Sequence, residues 1–232
     1  MRKFTSSQRK IGPKQSSASG SFISRKQNNR IIQFESSLER DFILLSEFDS
    51  NVKTYIDQPI KIEYLDSNGR KRIYTPDFLV EYRNNQMQSN IIEIKYSSHL
   101  LKNSHLYEEK FYHARSYCKK NALTFSVLTE KDIRNGQKTY LTNVSFLLKH
   151  RETIGRSQTS LHNEKDIKIC LNLIKELRRK NKASITDLVE TYRNKYITEQ
   201  DPLYYIWFLI SNNYISCDLK ELLTKNSLIW VE

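Results

Sequence analysis

The absences in this chain narrow it first. It has no run of eighteen apolar residues and no apolar signal core at its N-terminus, so a soluble, non-secreted cytoplasmic protein with no membrane partner is expected. Its three cysteines, Cys118, Cys170 and Cys217, stand far apart. That excludes a disulfide framework and a zinc-ligand spacing, and predicts buried reduced thiols. Five histidines are scattered at no metal-ligand spacing. The first thirty residues contain no acid, yet they hold Arg2, Lys3, Arg9, Lys10, Lys14, Arg25, Lys26 and Arg30, eight cations against a formal net charge of +12. Cations so concentrated neutralise phosphates and release counterions, which predicts a basic flexible arm over residues 1–30 that contacts DNA; a solubilising tail is the plainer alternative. Hydrophobic residues make up only 38% of the chain, but fourteen Tyr and ten Phe supply core bulk, and 232 residues suffice for one large domain or two small ones.

The chemistry collects between Ile73 and Tyr96, in IYTPDFLVEYRNNQMQSNIIEIKY. Residues 73–82 alternate as a strand does, Asn84-Asn85 sits where a turn is wanted, and residues 90–96 read as a second, more buried strand. Asp77 follows Pro76 at a bend, where proline has no ladder hydrogen bond to give. Glu93 and Lys95 stand two residues apart and so leave the same face of their strand, with Ile91, Ile92 and Ile94 marking it as interior. A buried carboxylate and lysine are costly unless paired, metal-bound or used. Two acids and a lysine converging at a bend make a hard-cation site beside a point charge, which suits phosphodiester hydrolysis. The plainer reading leaves Asp77 shaping a turn and Glu93 with Lys95 as an edge-strand ion pair. The pattern Pro76-Asp77, fifteen residues, Glu93-x-Lys95 resembles the PD-(D/E)xK nuclease signature.

Around this hairpin the chain reads in order. It docks on the domain between Phe22 and Phe34. Ser36 or Ser37 caps a helix whose buried stripe is Leu38, Phe42, Leu45 and Phe48. Glu39 lies at the edge of that stripe, and periodicity alone makes it a first-turn acid complementing the helix dipole. Residues 52–57 and 59–65 read as strands, with Asn68-Gly69 as the turn that follows. A polar loop is expected after Tyr96, then a helix over residues 104–120, a strand over 123–129 parallel to its helix-crossed neighbour, a helical turn at 130–134 and a closing helix at 143–149. Residues 152–163 form a polar linker. Beyond it come a helix over 164–180, a second opened by Ser184, a third over 202–213 and two short strands, the outline of a winged helix. The third helix, LYYIWFLISNN, is nearly all apolar where a base-reading helix carries polar side chains. It is therefore core or a protein-docking surface, and docking is the reading favoured.

Together these residues resemble the TnsA family, the endonuclease subunits of heteromeric transposases. The resemblance is carried by FESSLERDF (34–42), Gln58-Pro59, YTPDFLV (74–80), IIEIK (91–95), LTEKDIR (128–134) and NVSFLLKHR (143–151). It implies an α/β fold with a restriction-endonuclease-like mixed-sheet core over residues 31–151 and a small winged-helix-like C-terminal domain over 164–232. It also implies a catalytic set of Glu39, Asp77, Glu93 and Lys95, with Glu39, Asp77, Glu93 and the Ile94 carbonyl holding one or two Mg²⁺, for which Mn²⁺ can substitute. Some relatives have Gln at the position of Glu93, and many have Pro where Tyr96 stands. The activity implied is cleavage of the 5′ ends of a transposon on double-stranded DNA, alongside a TnsB-like transposase and a TnsC-like AAA+ regulator in a bacterial cytoplasm. Two alternatives remain: a stand-alone restriction or junction-resolving nuclease of this fold, and a non-catalytic DNA-binding scaffold.

Overall fold

A computed structural model of the chain describes residues 19–151, 164–197 and 200–232. Arg2, Lys3, Arg9, Lys10, Lys14 and the expected linker lie outside the described residues. The chain divides into two compact units, Met1–Asn135 and Gly136–Glu232. The fold is mixed α/β, with eight helices and a mixed sheet among the described residues.

The first unit opens with β1 (Gly20–Ser24) and β2 (Arg30–Phe34), an antiparallel hairpin. Its turn uses Asn28 and Asn29 at φ of 54° and 63°, a left-handed conformation asparagine tolerates. A Cβ at Gly20 would lie 2.6 Å from the tip of the Phe34 ring, so a side chain there would require that ring to move. Residues 20–30 of the expected basic arm thus lie in β1, its turn and the first residue of β2. Helix α1 (Ser37–Phe48) is capped by the Ser36 side chain, which accepts from the Glu39 N–H. Leu38, Phe42 and Ile43 of α1 are buried against Ile32, Val52, Tyr55, Phe78, Val80, Ile92 and Ile94.

Strand β3 (Val52–Asp57) leads to a separate antiparallel pair, β4 (Ile62–Leu65) and β5 (Lys71–Tyr74), turned at Gly69 with φ of 73°. The chain then enters β6 (Phe78–Tyr82) and β7 (Asn90–Ile94). The single strand expected over residues 73–82 is therefore two strands in two sheets, broken at Thr75-Pro76-Asp77, because Pro76 has no N–H to continue a ladder. Helix α2 (Ser97–Lys102) stands where a polar loop was expected, with Glu130 accepting from the Ser97 N–H and hydroxyl at its start. Helix α3 (Ser104–Lys120) then crosses to β8 (Thr124–Leu128) and α4 (Glu130–Ile133). The main sheet has the order β3-β6-β7-β8. β3, β6 and β7 pair antiparallel, and β8 runs parallel to β7, as a helix-crossed pair must.

Side-chain alternation sorts the sheet. Phe78, Val80, Ile92 and Ile94 face the α1 cluster, whereas Leu79 and Ile91 meet Cys118 of α3. Asp77, Glu93 and Lys95 share the second parity and so belong to the α3 side, at the end of the strands where the β5–β6 bend opens.

The second unit comprises α5 (Lys138–His150), α6 (Glu164–Lys180), β9 (Lys182–Ser184), α7 (Ile185–Lys195), α8 (Pro202–Ser211), β10 (Ser216–Cys217) and β11 (Leu228–Trp230). Its antiparallel sheet has the order β10-β11-β9. The closing helix expected for the nuclease domain is α5, and it falls in this unit. Asn143 donates to the Leu219 and Glu221 carbonyls and accepts from the Leu223 N–H, and Arg151 donates to the Ser211 carbonyl. Phe146 of α5 meets Trp207 of α8 edge-on, 5.0 Å between centroids. This contact removes the argument for α8 as an exposed docking face: Tyr205, Ile206, Trp207, Leu209 and Ile210 are buried, and no residue of α8 is exposed. We expect Trp207→Ala to cost about 3–5 kcal/mol, the usual range for a buried aromatic, read as a lower melting transition of the second unit. A variant melting like the native chain would return Trp207 to the surface.

Candidate active site

The bend before β6 and the end of β7 bring Asp77, Glu93, Ile94 and Lys95 together. Gln58, at a left-handed φ of 44°, donates its N–H to the Asp77 carbonyl at 2.8 Å and anchors the bend. Asp77 Oδ2 accepts from the Ile94 N–H at 2.7 Å and faces Lys95 Nζ at 3.3 Å. Lys95 Nζ also lies 3.0 Å from Glu93 Oε1 and 2.9 Å from the Ile94 carbonyl. Two carboxylates and one carbonyl thus converge on a single ammonium.

Electrostatics follows from this crowding. Burial first, and then the charge of Glu93, push Asp77 up to about 7, with Glu39 adding to the rise and Lys95 and the Ile94 N–H opposing it. Burial works to lower Lys95, but Asp77 and Glu93 outweigh it and hold the lysine above its ordinary value. The Asp77 side chain remains 21% exposed and reachable, whereas that of Glu93 is only 3% exposed. Such displaced pKa values at a strand-end opening mark functional sites.

Two residues that sequence reasoning missed complete the cluster. Tyr74 donates to Glu93 Oε2 at 2.7 Å, and Lys110 of α3 lies 3.3 Å from Glu93 Oε1. Burial, and then Glu93, raise the Tyr74 hydroxyl above its ordinary value, so it stays a donor. Lys110 lies over the Tyr107, Tyr74 and Phe111 rings at 4.4, 5.0 and 5.3 Å. The signal for Tyr74 was its place in the YTPD stretch. Lys110 left none, since it reads as one more helix-surface lysine.

Glu39 is placed differently. It sits on α1, on the other side of the sheet, and its carboxylate accepts from the Glu35 N–H and the Ser36 hydroxyl, both at 3.0 Å. It acts on Asp77 through its charge. Arg134 of the LTEKDIR stretch ties this region together, donating to Asp41 Oδ2 at 2.6 Å and Ser37 Oγ at 2.9 Å. Of the expected DNA-binding cations that are described, two are engaged inside the fold. Lys26 Nζ donates to the Ser46, Asp49 and Val52 carbonyls, at the C-terminal end of α1, and Arg30 pairs with Asp57 at 2.8 Å. Arg25 gives its backbone N–H to Glu47 at 3.0 Å.

The oxygen set can be tested against a divalent cation. Among the described residues no three His, Cys, Asp or Glu side chains come together closely enough to hold a metal ion. Asp77, Glu93 and the Ile94 carbonyl nevertheless converge on one cation, the Lys95 ammonium. Mg²⁺ is held by one or two carboxylates together with other oxygens and waters, so these residues fit it.

Residues 49–130 match the family model described as TnsA-like endonuclease N terminal. No curated protein matches the chain. The matched span contains Asp77, Glu93, Ile94, Lys95, Tyr74 and Lys110, but neither Glu39 nor any of the second unit. The cluster therefore lies inside the span that is similar to an endonuclease domain. No described helix is long and apolar enough to cross a membrane.

Proposed function

We propose, from a chain that belongs to the TnsA family through residues 49–130, that this protein is the Mg²⁺-dependent endonuclease subunit of a heteromeric transposase, cutting the 5′ ends of the transposon. The observation that carries this reading is the convergence of Asp77 Oδ2, Glu93 Oε1 and the Ile94 carbonyl at Lys95 Nζ, beside the bend that leaves Asp77 reachable. Asp77, Glu93 and the Ile94 carbonyl would hold one or two Mg²⁺, for which Mn²⁺ can substitute, and Glu39 joins this set through the family resemblance alone. When bound, the cation lowers the pKa of a bound water and offsets charge on the phosphate. Lys95 contributes a compact, mobile charge to orient the attacking water and the scissile phosphate. Tyr74 and Lys110 keep Glu93 in its aimed position.

The sheet with α1 and α3 on its two faces supports a restriction-endonuclease-like core. In the second unit, the order helix, strand, helix, helix, strand, strand over residues 164–232 supports a winged-helix-like module, with α5 as an additional helix. Partners in this reading are transposon-end DNA, a TnsB-like transposase and a TnsC-like AAA+ regulator. The regulator's contact is not assigned to α8, which is internal to its unit.

The test is cleavage of end-labelled transposon DNA with Mg²⁺, by the chain alone and with both partners. Cuts at the 5′ ends that require the partners are expected. Efficient cutting of naked DNA by the chain alone would make it a stand-alone nuclease, and no cutting under either condition would leave the scaffold reading.

A further inference from the structure

The three oxygens assigned to a divalent cation already hold a cation. Lys95 Nζ lies 3.3 Å from Asp77 Oδ2, 3.0 Å from Glu93 Oε1 and 2.9 Å from the Ile94 carbonyl. Glu93 has a second lysine as well, Lys110, at 3.3 Å from the same Oε1. Two carboxylates therefore face two ammonium groups, and a divalent cation entering the same space would set four positive charges against two negative ones. Like charges at about 3–4 Å in a partly desolvated site repel by several kcal/mol even at an effective dielectric of 20. One lysine must give way.

The two are held differently. Lys110 leaves the middle of α3, and its ammonium lies over three rings at 4.4–5.3 Å. Those ring contacts remain whatever happens at Glu93. The Lys95 backbone is pinned, its N–H donating to the Leu128 carbonyl at 3.0 Å, while its side chain reaches back from the end of β7 to the very oxygens in question. Its charge also has somewhere to go, since the side chain is 25% exposed at the end of β7.

We infer that Lys95 is the resident occupant of the cation position and is displaced from it by the incoming metal, whereas Lys110 stays on Glu93. The inference rests on the proposed metal-dependent reading of this site. It gives Lys95 two successive places: on the carboxylates in the resting chain, and at the water and phosphate in the loaded one. Lys110 and Tyr74 then hold Glu93 through the exchange. Because apparent affinity falls with the fraction of protein in the binding-competent state, a lysine that occupies the site weakens metal binding.

Two measurements test this on the full chain, with Mn²⁺ as the probe. In calorimetric titration Lys95→Met should bind Mn²⁺ about tenfold more tightly than the native chain, and Asp77→Asn should lose that binding. In the native chain, acetylation of Lys95 by acetic anhydride, read by mass spectrometry, should rise several-fold on saturation with Mn²⁺ while that of Lys110 stays level. The second measurement needs no variant, so it stands even if Lys95→Met fails to fold. Equal or weaker Mn²⁺ binding by Lys95→Met, or Lys95 labelling indifferent to Mn²⁺, overturns the occupant role and leaves the metal centre intact. Absence of any binding sensitive to Asp77→Asn, in native chain and Lys95→Met alike, removes the metal centre and this inference with it.

Discussion

Asp77→Asn is expected to stop cleavage and yet to melt above the native chain near pH 7. Burial and the charges of Glu93 and Glu39 raise Asp77 from an ordinary value of 3.8 to about 7. The folded chain therefore holds a proton here that the unfolded chain releases near pH 4. The stabilisation tied to that proton is fully present below about pH 4 and is lost as pH rises through 7. Asparagine does not ionise and escapes this loss. Its side-chain oxygen still accepts from the Ile94 N–H, although the contact with Lys95 is given up, so the gain at pH 7 should be about 1–3 kcal/mol, less than the full shift implies. The advantage of the variant should widen from pH 4 to pH 7 and level off above it. Cleavage should meanwhile fall by about 10³-fold or more, the scale of removing a group that stabilises charge in a transition state. Thermal melts at pH 4, 5.5 and 7.5, beside a cleavage assay, check both halves. A variant that melts below the native chain at pH 7.5 would mean that Asp77 is an ordinary structural acid. Stability gained where activity is lost is what a strained functional group predicts.

Much of this arrangement was legible in the residues. Helix α3 follows from apolar periodicity, with Asn121 as its stop, and α1 follows from Ser36 and its buried stripe. The pairing of Glu93 with Lys95 on one face follows from the period of two along a strand, and the parallel β7–β8 pair from the helix between them. What was not legible depended on partners distant in sequence. The period of α8 says that it is apolar all round, but not that α5 covers it, so the face expected to dock is filled by Phe146. Nor does the sequence show that α5 lies in one compact unit with α8. Composition counted Lys26 and Arg30 as free charge, although one closes the end of a helix and the other pairs with Asp57. Pro76 announced a bend, but not that residues 71–74 would leave for another sheet and bring Tyr74 back over Glu93.

A loss of stability as large as that of Trp207→Ala should come from Glu47→Ala in the first unit. Glu47 is 1% exposed, and its carboxylate accepts from the Ser24 hydroxyl at 2.8 Å, the Arg25 N–H at 3.0 Å and the Tyr55 hydroxyl at 2.9 Å. Ser24 and Tyr55 are fully buried, so removing the acceptor strands two hydroxyls and an N–H away from water and leaves a void. Each stranded donor costs about 1–3 kcal/mol, and partial relaxation brings the expected total to about 3–5 kcal/mol. Tyr55→Phe and Ser24→Ala each delete a donor but leave the acceptor with others, so each should cost about 1 kcal/mol. Their effects should vanish in a Glu47→Ala background, because the three share one network. Urea unfolding of the single and double variants measures this, and a Glu47→Ala loss below 1 kcal/mol would show that water replaces the carboxylate. The consequence reaches the site through α1. Residues 24–26 grip the C-terminal end of that helix through Glu47 and the Lys26 bonds, while Ser36 and Glu39 form its other end. Loosening the grip should let α1 shift against Phe78, the residue beside Asp77, and lower cleavage together with stability.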